Sequence, residues 1–413
     1  MSFKRTGSNQ GESFVIESIM LEQNQKGYRL EEVMIGMSIK ETINGVISGE
    51  IVLNNQVDLT NVISMNGKNT LTIKMYSDSL HKDKGKLFSR RFSVYQASYI
   101  SNPETNVSML KLLFKSIGAV NNNYKRVSKS YSNAGTHVIV KDMLKLVGYD
   151  DAEINVEETM FNRDIVIPNL RPLEVIQHLE DNSVSGNSKH KGDSNFYFFE
   201  SGDKVNFVSG SSLFLADPVE TYGVVIDPKQ TKQNVAISFI ADRVFNTEAQ
   251  AQSGAYGMTV ISHSLVDKSI THTRVLPDGT QTKLNDVDVN QVDYNANNRI
   301  VFTSEDQMYK YLNVTANGNA IGQRELNRSR MAAQKAFMRI GCDTDITVGS
   351  VVNVIQEQTA AKWLVVEIMH SITGNTWIMD LKMIADGAGS SMANVQQKRE
   401  PDSAYDKAKG NTK

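Results

Sequence analysis

Seven histidines and one cysteine are the side chains best suited to metal binding or nucleophilic chemistry. The histidines are His81, His137, His178, His190, His263, His272 and His370. None falls in an H-E-x-x-H pair, so no zinc-hydrolase helix is encoded. His178 and Glu180 are two apart in a helical stretch and point to different sides. His263 and His272 are close enough to meet across a loop, but their spacing matches no ligand pattern, and the plain reading is structural or surface histidines. Cys342 is single, so it makes no intrachain disulfide and no zinc site alone. Its nearest basic neighbour is Arg339, and it reads as a small core residue. Phosphate-binding loops are missing too. Gly67-Lys68-Asn69-Thr70 lacks the upstream glycine and the correct fourth residue of a P-loop. No G-x-G-x-x-G or G-x-S-x-G occurs. Asp286, Asp288 and Asn290 open like a calcium loop. Gln291 then stands where the turn needs glycine, and Asn297 where a bidentate glutamate is needed. The expectation is therefore no catalytic set, no metal and no cofactor.

Charge points to protein partners. Lys plus Arg number 44 and Asp plus Glu 46, a formal net charge of −2. Such a chain is not built as a general nucleic-acid binder. Lys82, Lys84, Lys86, Arg90 and Arg91 form a basic cluster; Asp150, Asp151, Glu153, Glu157 and Glu158 form an acidic one. Patches of opposite sign suit self-assembly or docking; the basic cluster also reads simply as a solvated loop. The 413 residues, 40% apolar and 22% charged, imply two to three globular domains. No apolar run reaches six residues, so no membrane anchor is expected. MSFKRTGSNQGESF has no apolar signal core, and with one cysteine the chain reads as folding in a reducing cytoplasm.

The elements that must position these residues are mostly strands. Asn44-Gly45 predicts a two-residue hairpin and Asn66-Gly67 a second turn. Leu71, Ile73 and Met75 alternate with Thr70, Thr72 and Lys74, and a strand runs through Phe92, Val94, Gln96 and Ser98. A turn at Asn102-Pro103-Glu104-Thr105 leads into VSMLKLLF. Residues 119–132 read as a polar linker. Helices follow at Thr136 to Val147, stopped by Gly148, and at Pro172 to Asp181. NFYFFESGDKVNFVSG reads as a hairpin around Ser201-Gly202-Asp203. In the segment from Val235 to Ala241, Val235, Ile237 and Phe239 form a core face. Ser238 and, further on, Asp242 look toward a channel or a neighbouring chain, or simply to solvent; Arg243 should point the other way. This segment and MTVISHS read as one long hairpin. Residues 263–323 read as polar and turn-rich, with Pro277-Asp278-Gly279 and Asn317-Gly318-Asn319. A helix is expected at 325–338, then three strands, and a flexible tail after Gly387. Residues 92–114 and 363–385 match in length and late apolar alternation, so two β units flanking an α+β module are expected.

Three stretches resemble a known family. Ile167-Pro168-Asn169-Leu170-Arg171-Pro172-Leu173-Glu174-Val175-Ile176 is similar to its proline-rich entry into a helix of an inserted domain. Thr259-Val260-Ile261-Ser262-His263-Ser264-Leu265-Val266-Asp267-Lys268-Ser269-Ile270 is similar to the segment leaving a second barrel's hairpin. Ala332 to Ile355, with Gly341 and Val348-Gly349-Ser350-Val351-Val352, resembles its late helix and strand entry. In order and spacing they resemble the baseplate hub subunit of contractile-tailed bacteriophages, kin to the amino-terminal part of VgrG spike proteins. Arg171 departs from the family's capping Thr, Ser or Asp, so the cap must come from elsewhere. With no spike or lysozyme-like segment after residue 387, the chain would be the hub alone.

The resemblance implies a mainly β, α+β chain of two tail-tube-like antiparallel β-barrel domains with an inserted α+β domain. It implies a first barrel at 1–118, the inserted domain at 119–215 and the second barrel's first part at 216–262. An insertion with a terminal helix would follow at 263–338, the second barrel's last part at 339–387 and a flexible tail at 388–413. It also implies a homotrimeric, pseudo-sixfold ring in the virion baseplate, assembled in the host cytoplasm. That ring would adapt a hexameric tail tube, or its initiator, to a trimeric central spike. A tape-measure protein is a possible further partner, and DNA would pass only in transit. The alternative is a mixed α/β hydrolase or binding protein with an unrecognised site.

Overall fold

The computed structural model describes residues 5–9, 12–23, 26–55, 69–79, 85–102, 107–224, 234–242, 248, 252, 254, 257–263, 268–275, 300–304, 309–310, 314–331, 334–356 and 359–386. The first unit is β1 (Arg5–Asn9), β2 (Glu12–Gln23), β3 (Lys26–Arg29), β4 (Met34–Thr42), β5 (Ser48–Asn54), β6 (Thr70–Ser79), β7 (Phe88–Asn102) and β8 (Val107–Ser116). Period-two alternation builds it. Leu71, Ile73 and Met75 are buried together, and so are Leu110, Leu112 and Phe114 on β8. The Asn44-Gly45 turn is longer than two residues. β4 ends at Thr42 and β5 starts at Ser48, and the Ile43 amide leaves the hairpin to bond the Val366 carbonyl at 2.9 Å.

An α+β module follows: α1 (Ile117–Asn122), β9 (Val127–Gly135), α2 (Thr136–Val147), β10 (Ile154–Val156), β11 (Asn162–Leu170), α3 (Pro172–Glu180), β12 (Phe196–Ser201), β13 (Lys204–Ser209) and α4 (Gly210–Phe214). The stretch expected as a linker is thus a helix and a strand. Ser116 caps α1 through the Ala119 amide, and β11 supplies the backbone partner for the mostly exposed β9. α2 has the expected bounds and stops at Gly148, φ 101°. The cap that Arg171 cannot supply comes from Asn122, whose Oδ1 accepts the Leu173 amide at 2.9 Å, while Glu174 reaches back to the Arg171 amide at 3.0 Å.

The last third holds β14 (Glu220–Gly223), β15 (Asn234–Val235), β16 (Ser238–Asp242), β17 (Met258–His263), β18 (Ile270–Val275), β19 (Ile300–Ser304), β20 (Tyr309–Lys310), α5 (Val314–Met331), β21 (Gln334–Gly341), β22 (Val351–Gln356), β23 (Thr359–Thr373) and β24 (Thr376–Ala385). The expected long hairpin does not form: β16 pairs with β21, and β17 with β18 and β19. The helix expected at 325–338 ends at Met331. From Gln334 the alternation of buried Ala336, Met338 and Ile340 makes a strand. α5 instead starts earlier and runs through Asn317-Gly318-Asn319. It is held by Leu326 packing with Met258, Val260 and Val275, an apolar contact that overrides turn propensity.

In sheet order the first unit reads β2-β6-β7-β8-β5-β4 and the later one β14-β22-β23-β24-β21-β16. Numbering only these six strands of each unit in chain order, and leaving aside β1, β3, β15 and β17–β20, both orders are 1-4-5-6-3-2. One difference is direction: β2 meets β6 antiparallel, whereas β14 meets β22 parallel. The repeat also needs a correction of two residues. β7 and β8 are separated by residues 103–106, β23 and β24 only by Gly374-Asn375. Phe114 faces Val94 and Met383 faces Val365, so Leu112 corresponds to Leu381 rather than to Met383. A single apolar cluster, with Phe14, Phe92, Phe114, Trp363 and Trp377, runs beneath both units.

Candidate functional site

The two units join edge to edge. β4 pairs antiparallel with β23 from Thr42–Glu367 to Gly36–Thr373. One continuous antiparallel sheet therefore runs β7-β8-β5-β4-β23-β24-β21-β16. Its inner face covers the core. Its outer face carries Lys111 on β8, Glu50 on β5, Lys40 on β4, Glu367 on β23, Asp380 and Lys382 on β24, and Arg339 and Phe337 on β21. The charges alternate and pair: Arg339–Asp380 at 2.6 Å, Lys382–Glu367 at 2.7 Å, Lys111–Glu50 at 2.6 Å and Lys40–Glu367 at 3.5 Å. Carboxylates are thus interleaved with the cations, Lys40 and Lys382 sharing Glu367, while Lys115 and Lys335 add further positive charge to the same face.

Ser238 lies at one margin of this face, exposed and opposite Arg339 in register. Asp242 is the last residue of β16, opposite Lys335 in register; its side chain and Arg243 lie outside the described residues. The expected core face needs correction. The strand is interrupted at Ala236 and Ile237; Ala236 is buried and Ile237 is 37% exposed. Phe239 does reach the core, edge-on to Trp363 at 5.9 Å, and Ala241 packs there too. The interruption changes the side-chain phase, which strict alternation from Val235 does not anticipate.

A second site was missed by sequence reading. Arg90, grouped with surface lysines, is buried on β7. Its Nη2 lies 3.4 Å from Glu200 of β12, and its Nη1 donates to the carbonyls of Gly202 at 2.9 Å and Lys204 at 3.1 Å. Glu200 also accepts the Tyr149 hydroxyl and the Ile47 amide, the latter at 2.8 Å. Burial pushes the Glu200 carboxyl up, against the pull of Arg90 and the Ile47 amide. Beside it, Glu41 of β4 accepts the Ser201 hydroxyl at 2.8 Å and the Gly202 amide at 3.3 Å, and lies 3.7 Å from His370 of β23. Burial alone would raise Glu41, but His370, Ser201 and Gly202 together hold it below the ordinary carboxylate value. The tip of the β12–β13 hairpin is thus held against the first unit by Arg90 and Glu41, with His370 of the later unit behind Glu41. The only sequence signal was a charged residue, Arg90, between strand-forming neighbours.

The other candidates scatter. Glu157, read as part of an acidic patch, is buried and accepts the Ser209 amide at 2.8 Å and the Ser212 hydroxyl at 2.7 Å at the start of α4. Cys342 is buried with its Sγ 3.3 Å from the Ser13 carbonyl. His263 and His272 sit on paired strands, opposite Ile270 and Ile261. Among the described residues no three His, Cys, Asp or Glu side chains converge as a metal site requires. The calcium-like segment, Lys82, Lys84, Asn66-Gly67, Pro277-Asp278-Gly279 and the 388–413 tail lie outside the described residues. Among the described residues no helix is long and apolar enough to cross a membrane.

No protein-family model matches the chain. Along 94% of its length it is 22% identical to the probable baseplate hub protein gp334 of Vibrio phage KVP40, covering 97% of that relative. Its fold is similar to the tail protein from Neisseria meningitidis MC58, with TM-score 0.56, 10% identity and coverage of 91% and 97% of the two chains. It is also similar to the 43 kDa tail protein of prophage MuSo2 from Shewanella oneidensis, with TM-score 0.55, 11% identity and coverage of 89% and 98%. Over 94% of its length the chain is thus similar in sequence to a probable phage baseplate hub protein, and its mainly β fold is similar to that of tail proteins.

Proposed function

We propose that the chain is a structural baseplate hub protein of a phage tail and not an enzyme, and that three copies form a pseudo-sixfold ring that adapts a hexameric tail tube to a trimeric central spike and leaves a channel for the genome. The internal repetition carries this reading. Two units with one strand order, joined through β4 and β23, make each chain two sixths of a ring. Tube or tube-initiator protein meets one side and spike the other, with a tape-measure protein as a further neighbour. The outer sheet face lines the channel. Its paired charges let DNA pass without tight phosphate binding. Ser238 and Asp242 belong to that lining or to the contact with the next chain. The division at residues 118, 215, 262, 338 and 387 is part of the same reading, and the role requires no cofactor.

Native mass measurement of the assembled hub tests the ring. The expected species is three times 45.9 kDa with an open centre in low-resolution images. A monomer, or a ring of another number, overturns it. Asp242→Lys should slow genome release or lower particle yield while the free chain folds normally. Wild-type infectivity and yield would remove Asp242 from lining and contact alike.

A further inference from the structure

The inserted module carries a small sheet with the strand order β20-β11-β9. β9 is its last strand. β11 pairs with one flank, and the other flank has no strand partner among the described residues. β9 passes at Gly135 directly into α2, which runs back along the strand with Ile139, Met143 and Val147 in the core. Asp142 comes level with the middle of β9, where it accepts the Lys129 ammonium at 3.1 Å and the Tyr131 hydroxyl at 3.0 Å. Val138, Asp142 and Leu146 are four residues apart and share that flank of the helix. Val138 is 46% exposed and Leu146 42%. Between this flank and the strand lies a groove of about 600 Å³, walled by residues 126–129 on one side and by Asp142, Lys145 and Leu146 on the other. Lysines commonly guard a bare strand edge. Lys129 does not, because its ammonium is turned back onto Asp142 and lies 4.4 Å from the centre of the Tyr131 ring. The surplus charge is positive. Lys129 is balanced by Asp142, and Lys145 by Asp151 at 2.7 Å. Lys125 and Arg126, just before β9, donate to the carbonyls of Leu146 and Asn169, and among the described residues no carboxylate pairs with either.

We propose that an extended, acidic segment of a different tail protein adds to β9 as a further strand of this sheet, against Val138 and Leu146 and with its carboxylates toward Lys125 and Arg126. Main-chain hydrogen bonds to the open edge supply the affinity, and alternate side chains of the added strand meet the half-exposed apolar flank of α2. The unbalanced cations select an acidic partner, since like charges brought together there would repel. The acidic run of this chain itself is not free to be that segment: Asp151 is held by Lys145 and Glu157 is buried, both within the same module. The contact stands apart from the ring reading, because it uses the inserted module and neither of the two repeated units.

Two synthetic probes read this edge, an alternating Glu-Val octapeptide and an alternating Lys-Val octapeptide. On the purified full chain the acidic peptide should protect β9 amides from hydrogen exchange, and the basic one should bind about tenfold more weakly. Lys125→Glu combined with Arg126→Glu should reverse that preference; both residues are exposed, so the fold is retained. Val138→Ser combined with Leu146→Ser should weaken the acidic peptide by about tenfold and leave the preference for acid over base unchanged. In intact tails the β9 amides should be protected relative to the purified chain. Equal binding of the two peptides, or β9 amides that exchange as fast in tails as in the purified chain, overturns the proposal. So does protection of β9 that appears when the purified chain alone is concentrated, because a second copy would then be the occupant.

Discussion

Arg339–Asp380 and Arg90–Glu200 are both arginine–carboxylate pairs on neighbouring elements, and their surroundings give them opposite work. The first lies on the outer sheet face with both side chains about half exposed, at 2.6 Å. Water and salt screen it, so it neutralises a surface more than it holds the fold. The second is closed off between the first unit and the inserted module, at 3.4 Å with Arg90 4% and Glu200 0% exposed. There neither charge has water to fall back on, and the pair fixes where the β12–β13 hairpin sits. Short distance is therefore a poor guide to importance here; the longer pair is the structural one.

Four substitutions sharpen this contrast. The largest effect belongs to Arg90→Met, which strands the Glu200 carboxyl in the core. Destabilisation of about 3–5 kcal/mol is expected in chemical denaturation. Adding Glu200→Gln should recover much of that loss; no recovery would mean that Arg90 acts by packing alone.

Next comes Glu180, at the end of α3 and 3.6 Å from Arg328 of α5. Burial pushes its carboxyl up to about 7, although Arg328 pulls the other way. Because the folded value lies above the unfolded one, its contribution is fully present below about pH 4.5 and is lost as pH rises through 7. Glu180→Gln should flatten that fall, leaving the variant more stable than wild type above pH 7 by on the order of 2 kcal/mol. Unfolding midpoints collected across that range decide it, and parallel pH curves for the two proteins would refute it.

The smallest effect is expected from Arg339→Ala, which should cost under about 1 kcal/mol and less still in high salt. A loss as large as that of Arg90→Met would erase the distinction between the two pairs.

Local chemistry was enough for much of the architecture. The alternation Leu71, Ile73, Met75 made a strand, the stripe Ile139, Met143, Val147 closed by Gly148 made a helix, and Ser201-Gly202-Asp203 made a hairpin tip, because each is set by neighbours in the chain. The internal repeat was legible for the same reason, down to a two-residue difference in turn length that only pairing reveals. Tertiary structure decided the rest. α5 forms across Asn317-Gly318-Asn319 because a distant sheet offers Val260 and Val275 to Leu326. The stop of α5 and the start of β21 follow from where β24 can accept a partner. Asn122 caps a helix 51 positions away in sequence. Arg90 looked like one more solvated charge because nothing within a few residues of it shows that Glu200, 110 positions on, will be brought to its side. Side-chain periodicity reports which face of an element is apolar; which charge ends in water and which in the core depends on contacts between segments far apart in the chain, and those exist only once it has folded.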